Sequence, residues 1–319
     1  MLRYAMLRVL LAVPSLLGLT AVVFFAIRVL MPTDIVDIAM GDVKGQDAAL
    51  EAQMRTEFGF DGPLVVQYLR WLGGAVRGDL GSSFLSGRSV TSELLYRVPT
   101  SVELGLGALA ITVVIAVPLG MMSAVRRDTL PDYLARGSAI LFYAVPGFWV
   151  AILVLVFGSV LFSWAPSLEF KTLWDDPIAN INHIALPMVI LGLHSIGTMT
   201  RLVRTQVLEV IQQDYVRTAR AKGLNTRALY MRHVLRNALL PIVTDIGLQV
   251  PSVVAGTVIF EQLFVIPGVG RYLLDSLQKL DIYVILGANL FFGSLLIFSN
   301  LVVDILYGVI DPRIRFASR

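Results

Sequence analysis

The apolar positions of this chain fall in long uninterrupted runs instead of short amphipathic stripes. An α-helix needs about 20 apolar residues to cross a hydrocarbon core, and six runs meet that need: 9–27, 104–125, 137–168, 184–200, 237–260 and 282–303. The third is long enough for one helix and an outer segment. Asp245 is the only charged residue inside any of them. The first run exceeds the apolar core of a signal peptide and lacks a small-x-small cleavage site after it, so it reads as a retained first helix.

Between the first two runs the pattern changes. Val65, Tyr68, Leu69, Leu72 and Val76 recur at helical spacing, with Pro63 suited to a first turn and Gly78 to a stop. A second short helix is expected from Asp47 to Phe58. Frequent glycines, from Gly59 to Gly87, point to a compact cap of short pieces.

Composition removes most other classes. Of 319 residues, 56% are hydrophobic and 15% charged, a balance that no soluble core of this size can hide. Zero cysteines exclude a disulfide scaffold, thiolate metal sites and thiol catalysis. The 22 Arg and 4 Lys matter by position, because short loops rich in them stay cytoplasmic. Sixteen lie in the N-tail, the second loop, the fourth loop and the C-tail, against three in the short loops opposite. Both termini are therefore expected in the cytoplasm.

The expected organisation is an all-α integral membrane protein with six transmembrane helices. A cytoplasmic tail (1–8) precedes TM1 (9–30), an external cap (31–100), TM2 (101–125) and a cytoplasmic loop (126–137). TM3 (138–163), an external loop (164–183) and TM4 (184–204) follow. A cytoplasmic loop (205–237), TM5 (238–261), an external loop (262–281), TM6 (282–303) and a cytoplasmic tail (304–319) complete the chain.

The fourth loop concentrates the chemistry. Residues 201–236 carry eight basic residues and two acids. Within them Asp214 to Lys222 reads as a short helix, Gly223 as its left-handed stop, and Asn225 as the cap of a second helix running to Pro241. Such a knob could bind anionic lipid, enforce topology or dock a cytosolic partner, and charge alone does not choose.

Here the sequence resembles the inner-membrane permease subunits of ABC importers, specifically the B-type subunit of the dipeptide, oligopeptide and nickel group. The resemblance rests on "GPLVVQYLRWLGGAVRGDLGSSF" from Gly62, "RVPTSVELG" from Arg97, "DYVRTARAKGL" from Asp214, "RHVLRNALLPIVT" from Arg232, "IPGVGR" from Ile266 and "DILYGVIDPRIR" from Asp304. It implies the type I ABC importer permease fold and a coupling helix, at about 214–223, seated in a cleft of an ATPase. The wider superfamily carries Glu-Ala-Ala, three residues, then Gly. Counting back from Gly223 puts Arg217, Thr218 and Ala219 at those places, so the glutamate is absent, as in the rest of this peptide-importer group. The resemblance further implies a homologous C-type permease partner, two cytosolic ABC ATPases that bind the ATP and Mg, and an external substrate-binding protein, all at a bacterial inner membrane. The cargo is expected to be di- or oligopeptide, with nickel chelates, glutathione or another small solute as alternatives and a secondary transporter as a remote one.

The residues agree with a non-enzymatic subunit that has no cofactor or metal of its own. No Gly-Lys pair exists in the chain, so the lysine of a phosphate-binding loop is lacking. Tyr215, Ala219 and Lys222 are expected on one contact face, with Arg217, Arg220 and Arg227 able to pair with acids and the small Ala219 and Ala221 permitting close approach. Gly105-x-Gly107 reads as helix packing, since the strand and acid of a dinucleotide site are missing. His183, His194 and His233 lack metal-ligand spacing. Asp245, Gln249, Ser252 and Thr257 are candidates for lining a hydrated pathway, Asp245 because an intramembrane carboxylate normally faces a bundle interior or a wet cavity. A local capping role is the alternative for Asp245, and the family more often has an apolar residue there. Glu261 is expected to hold the outer loop.

Overall fold

The computed structural model describes residues 2–30, 56 and 62–310. The expected helix from Asp47 to Phe58, most of the first part of the cap and the arginines of the C-tail lie outside the described residues. Among the described residues, apart from the lone helical Thr56, ten helices follow one another: α1 (Leu2–Leu30), α2 (Leu64–Ala75), α3 (Val90–Val125), α4 (Leu130–Ala144), α5 (Gly147–Phe162), α6 (Pro177–Ile211), α7 (Asp214–Ala221), α8 (Thr226–Leu263), α9 (Val269–Gln278) and α10 (Ile282–Ile310). Five of these helices are long and apolar enough to cross a membrane, and α4 with α5 makes a sixth span if the bent pair is counted as one.

Most helices overrun the expected spans. α3 begins at Val90, because a small loop fixes its first turn: the Val90 amide donates to Gly81 O at 2.9 Å and the Ser83 amide to Arg88 O at 2.9 Å. The last part of the expected cap is therefore the start of α3. The expected single helix over 138–163 is two helices bent by 88°. Pro146 explains the break. It has no N–H to donate and forces Val145 out of the helical region, to φ −92° and ψ 123°. Pro241 does not end a helix as expected: α8 runs through Pro241 and Pro251 to Leu263.

The chain divides into two compact units whose boundaries fall within α3, between α8 and α9, and within α10. The first holds Val102–Ile266 and the chain from Ser299 onward. One of its cores joins Ala116 and Ala124 of α3 to Ile196, Met199, Val203 and Val207 of α6, Val216 and Ala219 of α7, and Leu229, Val234, Ala238 and Ile242 of α8. Another gathers Leu104, Ala151, Ile184, Ile190, Phe260, Phe264 and Ile266. Small residues set the helix spacing here. A Cβ added at Gly105 would lie 2.6 Å from Val254 Cγ2, so the Gly105-x-Gly107 pair is a packing surface for α8 and α6.

The second unit holds Leu2–Ser101 and Pro267–Phe298. Phe24 of α1, Tyr68 and Trp71 of α2, and Ile282 and Leu286 of α10 form one core. The stripe of Val65, Tyr68, Leu69, Leu72 and Val76 is not buried as one face. Tyr68 is buried and Leu72 half-buried, while Val65, Leu69 and Val76 are exposed. The buried face is set instead by Gln67, Tyr68 and Trp71. Their polar ends explain the choice: the Tyr68 hydroxyl donates to Leu17 O at 3.0 Å, and Trp71 Nε1 donates to Leu80 O at 3.2 Å.

Candidate functional site

The knob is built as its residues dictate. Asp214 opens α7 and Arg220 closes it, each at the helix end that favours its charge. Gly223 takes φ +78°. With it come the two bonds of a Schellman stop, Leu224 N–H to Ala219 O at 3.4 Å and Gly223 N–H to Arg220 O at 3.0 Å. Asn225 then caps α8, its Oδ1 accepting from the amides of Arg227 at 2.8 Å and Ala228 at 3.3 Å. The next seven residues, Leu229–Leu235, are π-helical, a widened segment that the apolar pattern could not announce.

One face of α7 is anchored. Val216 is 1% exposed and Ala219 9% exposed, both packed on Leu229, Val234 and the end of α6. Ala219 was expected on the contact face with Tyr215 and Lys222, and this is corrected: it belongs to the protein's own core. Tyr215, Arg217, Thr218, Arg220, Ala221, Lys222 and Gly223 are exposed, as is Arg227. Arg217 makes a loose surface pair with Asp214 at 3.6 Å. The exposed surface is thus an aromatic ring beside cationic side chains on a helix held rigidly from behind.

Behind the knob lies a cluster that sequence reasoning missed. Asp132, in the first turn of α4, is fully buried. Its two oxygens accept from Arg204 of α6 through Nε and Nη2, each at 2.9 Å, from Ser123 of α3 through its hydroxyl, and from the Asp128 amide at 3.0 Å. A bidentate arginine pair with further donors is the arrangement that lets a buried carboxylate stay charged. It ties α3, α4 and α6 together one helix before α7. Only the 72-residue separation hid it, since an Asp near a loop and an Arg on a basic helix carry no local signal.

The pathway candidates separate. Leu248, Ser252, Ala255 and Ile259 form an exposed stripe on α8, with Asp245 half-buried one turn before it. Gln249, also half-buried, donates to Asp245 through its side-chain amide. Thr257 is fully buried, donating to Val254 O at 2.8 Å and to Glu261 Oε1 at 2.7 Å, so it does not share that stripe. Glu261 is likewise buried, and its backbone carbonyl accepts from the Ile266 amide at 2.9 Å where α8 ends. His183 bonds Phe264 O at 3.0 Å, His194 lies against Tyr143, and His233 sits in the π-helical turn. Among the described residues no group of three His, Cys, Asp or Glu is placed to hold a metal ion.

The described helices include five, or six with the bent pair, of membrane-spanning length and composition, with the capped cationic knob between α6 and α8. Residues 1–105 match the N-terminal region, and 116–316 the main region, of the binding-protein-dependent transport system inner membrane component, and the chain belongs to that family. It is 35% identical over 338 residues to the dipeptide transport system permease protein DppB of Escherichia coli strain K12, covering 99% of each chain. It is 39% identical over 318 residues to a putative peptide permease protein of Brucella ovis, again covering 99% of each. A putative peptide transport system permease protein of Brucella abortus is 37% identical over 309 residues, 97% of this chain and 98% of that one. Among solved structures, the fold is shared with a chain of the MetNI methionine ABC transporter in an inward-facing conformation, at TM-score 0.53 and 14% identity. That match covers 68% of this chain and 96% of the other. The type I permease fold expected from the sequence is the one found.

Proposed function

We propose that this protein is the subunit of an ATP-driven importer that forms, with a homologous C-type permease, the membrane pathway for di- or oligopeptides delivered by an external binding protein. The observation that carries the reading is the knob: a short helix locked to the subunit's core on one side and presenting Tyr215, Arg217, Thr218, Arg220, Ala221, Lys222 and Gly223 on the other. A rigid helix of this kind, seated in a cleft of a cytosolic ATPase, passes the partner's motion into α6 and α8 through packed side chains. Two such ATPases would bind and hydrolyse the ATP with Mg, because this chain has no phosphate-binding lysine. The names of its relatives support peptide as cargo, with nickel chelates, glutathione or another small solute as the alternative for the same machinery.

In this reading the exposed stripe of α8 around Ser252, with Asp245 and Gln249 at one end, faces the second permease across the pathway. Both termini lie in the cytoplasm of a bacterial inner membrane. Vesicles containing both permeases and both ATPases, supplied with binding protein, should accumulate labelled dipeptide only when ATP is hydrolysed. Accumulation driven by an ion gradient with the ATPases absent would overturn the reading in favour of a secondary transporter. ATP-driven uptake of another solute with no competition by dipeptides would keep the machinery and replace the cargo.

A further inference from the structure

The helix that the sequence places in an external cap packs against two helices of membrane-spanning length, α1 and α10. The Tyr68 hydroxyl of α2 lies 3.0 Å from Thr20 Oγ1 as well as 3.0 Å from Leu17 O. Thr20 stands nine residues before the end of the α1 span, Leu10–Val29, a distance of about 13 Å along a helix. Even at the full length of a tyrosine side chain, α2 sits below that end. α10 reports the same level independently. Its span begins at Ile282, and Ile282 and Leu286 pack on Tyr68 and Trp71 in one cluster, so α2 lies beside the first turns within the span. Arg28, one residue before the end of that span, reaches Gln67 of α2 through Nη2 at 2.7 Å and so keeps α2 close to the span's end.

The face that α2 turns away from α1 and α10 is apolar. Val65 is 56% exposed, Val66 46%, Leu69 57% and, one residue beyond the helix, Val76 81%. Successive residues turn by about 100° around a helix, which gathers these four in one sector, with Gly73 among them. Arg70 and Arg77 fall together along one border of it, and no acidic residue of α2 joins them. An apolar sector edged by arginines at that depth is the pattern of a helix lying in a bilayer interface, its apolar side in acyl chains and its cations reaching headgroup phosphates.

We propose that α2 is a lipid-embedded interfacial helix, and that its Val65, Val66, Leu69 and Val76 face contacts phospholipid acyl chains in the leaflet where α1 ends. With both termini cytoplasmic, this is the outer leaflet. The inference does not depend on the cargo or on the coupling role of α7. It changes what the segment between the first two spans is: part of the membrane domain, and therefore not available along this face to an external binding protein.

The chain has no cysteine, so single spin labels at Val66→Cys, Leu69→Cys and Ser86→Cys report cleanly. They are examined in phosphatidylethanolamine and phosphatidylglycerol vesicles, in the permease alone and in the assembled transporter. Oxygen, which concentrates in hydrocarbon, and a water-soluble nickel chelate serve as collision agents. The ratio of oxygen to nickel collisions should be several-fold higher at positions 66 and 69 than at the exposed loop position 86, in both preparations. Nickel access at 66 and 69 equal to that at 86 would make α2 an aqueous cap and overturn the proposal. Shielding from both agents would overturn it too: in the assembled transporter alone it would assign the face to a second permease, and in the permease alone to another part of this chain.

Discussion

Replacing Arg204 by methionine removes the two 2.9 Å bonds that hold the Asp132 carboxylate and keeps most of the side-chain volume. Asp132 is wholly buried, so its charge is left with only the Ser123 hydroxyl and the Asp128 amide. Breaking a buried pair by removing one partner costs about 3–5 kcal/mol. An upper limit follows from proton uptake. A carboxyl with an ordinary pKa of about 3.9 can be neutralised at pH 7 for about 4 kcal/mol, and no penalty for the stranded charge should exceed that escape route. Because Arg204 keeps 20% of its side chain in contact with solvent, part of its interaction was already screened, and about 3 kcal/mol is expected. Replacing both partners, Asp132→Leu with Arg204→Met, should recover all but about 1 kcal/mol, since an apolar pair carries no desolvation cost. Reversible unfolding in mixed detergent micelles measures the singles, the double and hence the coupling between them. Uptake per ATP hydrolysed, measured on the assembled transporter, tests whether the clasp also keeps α6 stiff enough to drive. A cost below about 1 kcal/mol for Arg204→Met, or a double variant no better than the single, would refute the reasoning.

Gly223→Val meets no atom within 4 Å of the added Cβ, so its cost is the left-handed backbone alone, about 1–2 kcal/mol; the subunit should assemble and yet lose copurifying ATPase or uptake per ATP. Ala219→Glu should instead unseat α7 from its core and lower stability, whereas a lipid-binding role for the knob predicts loss of function only when Arg217, Arg220 and Lys222 are neutralised together, and the three variants are compared by copurification and uptake. Burial raises the Asp281 carboxyl above its usual range against the opposing pull of the Ser83 hydroxyl, which donates to Oδ2 at 2.6 Å. A raised native value means that its contribution is full below the ordinary carboxylate pKa, about 4, and is lost as pH rises through the native one, so thermal stability should fall over that rise and Asp281→Asn should flatten the dependence. Topology is read best from exposed positions: in intact cells an impermeant reagent should label a single cysteine at Ser86 and spare one at Arg217, which should label only once the membrane is opened, while Ser83, 3% exposed, is unsuitable.

Local chemistry alone determined the features whose causes lie within a few residues. Apolar run length marked the long helices but not their ends or the break at Pro146, Gly223 and Asn225 marked the stop and restart around α7, and clustered arginines marked the loop that carries it. Tertiary structure decided what an apolar run cannot encode. In a membrane helix both the lipid side and the protein side are apolar, so no periodic contrast tells which residues turn inward. That is why Thr257 points away from the stripe of Ser252; in the short helices α2 and α7 the buried face is chosen by neighbours distant in sequence, which leave Val65, Leu69 and Val76 exposed and anchor Ala219. It is also why Asp132 and Arg204 were invisible as a pair: their meeting depends on the packing of α4 against α6, which is not a property of the residues surrounding them in sequence.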